Sequence, residues 1–293
     1  MAAGRNREPL LALAFRAGWT SDRGRVGLAD LPAFAAAAEA AGADLLIAES
    51  EDRGAALAPD PVTVVSALIP STRRIGLGAE IATSAWAPFN LARAFSALDL
   101  LSNGRSAWLA TPGEDPPDRF AEHLQVVFAL FDSWDADALV LDKADGLFTD
   151  PGKVRRIAHA GAHFTVDGPL NSPAPPQGRP LILQRAAAAT DDADLVIGGD
   201  GPPDGARRLL DLGMGGRDPS AIADEIREGS WDGVMLKVAA LEDLEMFTRD
   251  LAPKLAPRDL ADSFPIQGQL RDRLGFPRLI NEFSRIAELS HEA

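Results

Sequence analysis

The stretch from Arg74 to Thr111, RIGLGAEIATSAWAPFNLARAFSALDLLSNGRSAWLAT, does most to limit the folds open to this chain. It reads as strand, loop, helix, strand. Arg74–Ile81 is a short apolar run, with glycines where another backbone can approach closely. Pro88 suits a helix start, because a first-turn residue needs no amide donor. Leu91, Phe95, Leu98 and Leu101 then recur at helical spacing and predict one buried stripe. Asn103-Gly104 supplies a left-handed helix end, and Ser106–Thr111 is the next strand. A strand–helix–strand unit of this length favours two parallel strands joined by a right-handed crossover.

A chain of 293 residues has room for one α/β barrel, for which about 250 residues is typical. Its 46% hydrophobic content is enough for a large core. A net charge of −14 argues against nucleic acid or an anionic membrane as partner. With no cysteine, disulfides, thiol catalysis and thiolate metal sites are excluded, and with no tyrosine there is no phenolic acid or base. Leu10–Phe15 is too short for a signal-peptide core or a membrane span, so the expected location is the cytoplasm.

Taken in order, Met1–Pro9 reads as a loose basic start and Leu10–Phe15 as the first strand. A helix opens at Asp30 or Leu31 and runs through Ala41, and Asp44–Glu49 is the second strand. Pro61–Ile69 is a helix, and the Arg74–Thr111 unit supplies strands three and four. Arg119–Asp132 is a helix with Phe120, Leu124, Val127 and Phe131 on one face. A long excursion follows at about 132–178. Leu181–Gln184 and Asp194–Gly198 are strands five and six. Gly199–Trp231 has room for two short helices, of which Ala221–Glu228 is one. Asp232–Leu236 is a further strand, and Phe247–Leu255 a helix. Seven strands are evident and the eighth is missing or vestigial. No repeat or low-complexity linker marks a second domain, so 1–293 is taken as one barrel domain.

Several wordings are more specific than these patterns. Pro88-Phe89-Asn90-Leu91-Ala92-Arg93, Ser96-Ala97-Leu98-Asp99 and Leu101-Ser102-Asn103-Gly104-Arg105 resemble the bacterial-luciferase-like flavin monooxygenases. So does the series Trp134…Asp150-Pro151…His159…Gly161…Phe164…Gly168-Pro169-Leu170-Asn171…Pro176-Gln177-Gly178-Arg179-Pro180. The branch it resembles holds the nitrilotriacetate and dibenzothiophene-sulfone monooxygenases. The resemblance implies a TIM-type (β/α) barrel, here reduced by about one β/α unit. It also implies reduced FMN as cosubstrate from a separate flavin reductase, dioxygen, a small organic substrate and a homodimer.

Carried over position by position, the resemblance implies a cofactor site at Glu49, Thr83, Ser84, Leu109 and Arg185. It implies a substrate pocket near Trp19, Trp86, Phe120 and His159. No catalytic residue is assigned and no metal is expected. Leu109 stands where the family has Asn, and Phe120 where it has an aromatic acid–base group. The largest departure follows strand five: Gln184-Arg185-Ala186-Ala187-Ala188-Ala189-Thr190 replaces a Gly/Ser turn that holds the flavin phosphate. This loss speaks against flavin binding. Two further readings therefore stand beside the monooxygenase: a non-catalytic binding or assembly relative, and a flavin-independent enzyme that reuses the barrel mouth. The mouth is expected to be narrowed, with Arg185 held by a carboxylate and Glu49 the first candidate.

Other motifs have plainer readings. Asp99 and Arg105 orient the helix-to-strand turn. His159 and His163 make structural hydrogen bonds, and Asp132, Asp135 and Asp137 form a solvated acidic face. Gly198-Gly199-Asp200-Gly201 is a tight turn before it is a phosphate nest. Trp19, Trp86 and Trp108 either line an aromatic pocket or fill core.

Overall fold

The computed structural model describes residues 9–21, 24–50, 58–199, 202–203, 205–213, 217–228, 231–238, 241–255, 268–277, 279, 281 and 283. The basic start, Pro9 apart, lies outside these residues, as do Asp200 and Gly201. Eight strands form a closed parallel barrel: β1 (Leu10–Phe15), β2 (Leu45–Ala48), β3 (Gly76–Ala82), β4 (Ser106–Thr111), β5 (Leu181–Arg185), β6 (Leu195–Ile197), β7 (Arg207–Gly213) and β8 (Gly233–Val238). Their order around the barrel follows the sequence, with β8 pairing back onto β1. The helices are α1 (Leu31–Ala40), α2 (Pro61–Leu68), α3 (Pro88–Ser102), α4 (Pro117–Asp132) and α5 (Pro219–Glu228), then a helical stretch through Leu241–Leu255. Among the described residues no helix is long and apolar enough to cross a membrane.

The expected strand count is thereby corrected. β7 is the eighth strand, inside the stretch read as two short helices, and the open edge of a seven-stranded barrel does not arise. The shortening falls on the connections instead. Only a 3-10 turn, Ala186–Ala188, lies between β5 and β6, and no helix joins β6 to β7 among the described residues.

By contacts the chain divides into two compact units: residues 1–80 with 182–267, and residues 81–181 with 268–293. In the first unit one device recurs three times. Asp44, Asp194 and Asp232 each precede a strand, and each clamps the second residue of the neighbouring one. The carboxylate of Asp44 accepts the Leu11 amide at 2.8 Å while its own amide donates to the Leu11 carbonyl at 2.7 Å. Asp194 makes the same pair with Ile182, at 2.8 and 2.9 Å, and Asp232 with Arg208, at 2.9 Å for both. An aspartate is short enough to close this ring, so the three residues fix strand register at the N-terminal ends. Glu39 works similarly from the end of α1. Burial alone would raise its carboxyl, but the amides of Ile75, Arg74 and Arg73 hold it below its ordinary value. That contact sets the turn into β3.

The second unit packs α3 and α4 on each other. Phe95, Trp108 and His123 pack ring to ring at tilted angles, and the Trp108 indole donates to the Ile81 carbonyl at 3.1 Å. Asn103 ends α3 at φ 57°, as its sequence predicts. The buried stripe of α3 runs Leu91, Phe95, Leu98 and then Ser102, whereas Leu101 is 70% exposed. A step of four from Leu98 follows the 3.6-residue period more closely than the expected step of three. Asp99 is fully buried and takes four donors: the Ser106 amide at 3.1 Å and hydroxyl at 2.6 Å, and the Gln177 amide at 3.0 Å and side chain at 2.6 Å. Burial pushes its carboxyl up, and these donors offset part of that. In the excursion the three aspartates are paired rather than merely solvated. Asp132 binds Arg179, Asp135 binds Arg155 at 2.6 and 2.7 Å, and Asp137 binds Lys153. Each aspartate has its own cation, and the three form no shared acidic face.

Candidate functional site

Six strands of the first unit each carry one charge at or just beyond their C-terminal ends. These are Arg16 after β1, Glu49 after β2, Glu80 in β3, Arg185 ending β5, Asp211 in β7 and Lys237 in β8. Arg185 is the hub. It donates to Glu49 Oε1 at 2.9 Å and Asp211 Oδ2 at 3.2 Å, and lies 3.9 Å from Glu80 Oε1. Arg16 stands 3.9 Å from Glu49, and Lys237 3.4 Å from Asp211. Glu80 also accepts the Ser50 amide at 3.1 Å. Burial, and then the nearby Glu49 carboxylate, push Glu80 above its ordinary value, while Arg185 pulls the other way. Five of the six charges line a cavity of about 400 Å³ with Ala14, Phe15, Gly24, Ser50 and Val238.

The Glu49–Arg185 pair expected from the sequence is therefore present, and these two candidates are brought together. The other candidates sit elsewhere. Trp19, in the first unit, is 64% exposed. In the second unit the Thr83 hydroxyl donates to Asp115 Oδ2 at 2.7 Å, and Ser84 Oγ accepts the Glu114 amide at 3.2 Å. Leu109 and Phe120 are buried apolar side chains. The half-buried Trp86 offers its carbonyl to His123 Nε2 at 3.0 Å. Trp108 is core.

His159 lies 3.0 Å from Glu122 Oε1, and Glu122 also accepts the amides of His163 and Phe164 at 2.9 Å each. His163 meets Asp118 at 3.0 Å. These contacts tie the hairpin of His159–Ala160 and Thr165–Val166 to α4, a structural role. The His159 hydrogen bond foremost, with the two amides, lowers Glu122 from 4.5 to about 2. A depressed carboxyl stabilises the fold fully above its unfolded pKa and loses that contribution as pH falls through the folded value. We expect unfolding titrations to show acid loss between about pH 4.5 and 2. In Glu122→Gln this part of the pH dependence should vanish, and an unchanged acid limb would contradict it.

Glu80, Asp211, Lys237 and Arg16 were not singled out from sequence. The signal was available: AEIA, LLDLG and VMLKV each place one charge near the C-terminal end of an apolar strand, where barrel ligands bind.

The residues present do not fit an FMN phosphate. After β5 every position from Ala186 to Thr190 carries a Cβ, and the chain makes a 3-10 turn instead of a glycine loop. The Thr190 amide donates to Gln184 Oε1 at 2.6 Å and the Ala189 amide to the Ala186 carbonyl at 3.4 Å, so two amides of the turn point back into the protein. Arg185 is already shared among carboxylates, and Thr83 and Ser84 are engaged by Asp115 and Glu114.

The luciferase-like monooxygenase family model matches residues 9–223, and the chain belongs to this family. It is 38% identical over 182 residues to the dibenzothiophene-sulfone monooxygenase of Rhodococcus erythropolis, covering 56% of this chain and 40% of that enzyme. The pristinamycin IIA synthase of Streptomyces pristinaespiralis matches through two different subunits. The more similar one is 41% identical over 165 residues, with 55% of this chain and 59% of its own length covered. The other is 34% identical over 133 residues, with 44% and 30% covered. The chain thus spans well under two thirds of the length of these relatives. The crystal structure of the long-chain alkane monooxygenase LadA superposes with a TM-score of 0.77 at 18% identity, over 93% of this chain and 96% of that one, a likeness of fold.

Proposed function

We propose that this chain is an assembly partner within a two-component luciferase-like monooxygenase. It works beside a longer family member that binds reduced FMN, supplied by a separate reductase, and oxygenates a small organic substrate. The observation that carries this reading is the Arg185 hub: the guanidinium that could meet a phosphate is bonded to Glu49 and Asp211, beside a turn without glycine. Nearly equal matched stretches make up 59% of the more similar synthase subunit, against 40% of the dibenzothiophene enzyme, so that subunit is the shorter protein. The two synthase names are those of two subunits of one enzyme, and both match this chain. Alone, the chain forms a homodimer through helices on the outside of the barrel, and the longer partner replaces one copy.

A second reading, in which the chain itself binds reduced FMN, is favoured by the likeness to the dibenzothiophene-sulfone enzyme. Flavin titration of the chain alone, and of the chain co-expressed with a longer family member that keeps the Gly/Ser turn, separates the two. Flavin bound only by the pair supports the assembly reading.

A further inference from the structure

Two of the six strand-end charges, Arg16 and Lys237, pair, among the described residues, only with carboxylates that Arg185 also holds. Arg185 takes Glu49 at 2.9 Å and Asp211 at 3.2 Å. Among the described residues Arg16 reaches only Glu49, at 3.9 Å, and Lys237 only Asp211, at 3.4 Å. Both carboxylates already serve Arg185. Each of these two cationic side chains is 43% exposed, and they stand on neighbouring strands. β1 and β8 pair with Ala14 opposite Lys237 and Phe15 opposite Val238, which puts Arg16 next along the same edge. Both line the cavity of about 400 Å³, which Ala14, Phe15 and Val238 also line. A space of that size lies at the lower end of small-molecule pockets.

We propose that this cavity binds a small organic monocarboxylate, its carboxylate held by Arg16 and Lys237 and its apolar part against Ala14 and Val238. The chemistry favours one negative charge. The cavity is lined by three cations, Arg16, Arg185 and Lys237, and by two carboxylates, Glu49 and Glu80, so its wall carries an excess of one positive charge. A phosphate dianion would set a second charge against Glu49 and Asp211, without the backbone amides that stabilise phosphate elsewhere. A planar carboxylate instead matches the guanidinium fork. The inference goes beyond the assembly reading and holds whichever chain carries the flavin.

The test is calorimetric titration of the full chain with benzoate, propionate and inorganic phosphate. The carboxylates should bind with Kd on the order of 1 mM. Arg16→Gln and Lys237→Gln should each weaken them about tenfold with the unfolding temperature unchanged, while Arg16→Lys should stay within about threefold of the parent. Phosphate should bind more weakly than either carboxylate. The proposal is overturned by no carboxylate heat at about 20 mM, by undiminished binding in both Gln variants, or by phosphate binding more tightly than benzoate.

Discussion

Asp99→Ala is expected to destabilise the chain by about 3–5 kcal/mol, the largest loss from any single polar substitution considered. The carboxylate joins three segments of the second unit: α3, which carries it, β4 through Ser106, and the end of the excursion through Gln177. Gln177 in turn donates to the Ser106 carbonyl at 3.0 Å and accepts the Arg271 amide at 3.1 Å. Truncation removes one acceptor group and takes the partner from three buried donors, the Ser106 amide and hydroxyl and the Gln177 amide, while the Gln177 side chain keeps the Ser106 carbonyl. Each unmet buried group costs about 1–3 kcal/mol, discounted because water entering the space would satisfy some. Asp99→Asn keeps one acceptor oxygen but turns an amide donor toward Gln177, and should cost about half as much. Urea unfolding followed by fluorescence measures both. A loss under about 1 kcal/mol in Asp99→Ala would show that the network matters little to the folded state.

Arg185→Ala should cost about 2–3 kcal/mol, because it leaves Glu49, Glu80 and Asp211 converging with only Arg16 and Lys237 nearby. The figure sits toward the low end for a buried pair, since the Arg185 side chain is 32% exposed and water screens part of the repulsion. Its sign with pH is distinctive. Without the guanidinium, Glu80 loses the influence that lowers it and titrates still higher, so the variant should regain stability relative to the parent as pH falls. Glu49→Gln placed on Arg185→Ala should recover about 1 kcal/mol by removing one of the repelling charges. Strict additivity in that double-mutant cycle would mean the hub does not act as a unit.

Much of this was legible in the sequence, for identifiable reasons. Strands buried on both faces read as apolar runs, which is why β1, β2, β4 and β5 were placed within a residue or two of their ends. β7 was missed because RRLLDLG opens on two arginines and carries an aspartate. Arg208 covers Trp231, its guanidinium 4.2 Å from the ring centroid, and Asp211 belongs to the mouth cluster. A strand that spends its polar residues on neighbours loses its apolar signature. The Glu49–Arg185 pair could be anticipated because both follow strands whose C-terminal ends share a barrel mouth. Asp211 and Lys237 could not be ranked until β7 existed. The Asp44, Asp194 and Asp232 clamps are written as an aspartate immediately before an apolar strand, but their partners emerge only with the strand order. His159 was singled out by resemblance, yet only the fold shows that Glu122 on α4 holds it.

The central claim is that a luciferase-like barrel has filled its flavin mouth with its own ion pairs. Titration of the isolated chain with FMN, and anaerobically with reduced FMN, tests it most directly. The account predicts a colourless protein and no saturable heat up to about 100 μM of either form, with flavin retained only when a longer family member is co-purified. One equivalent of flavin bound to the chain alone, with Kd near about 1 μM or below, would contradict it.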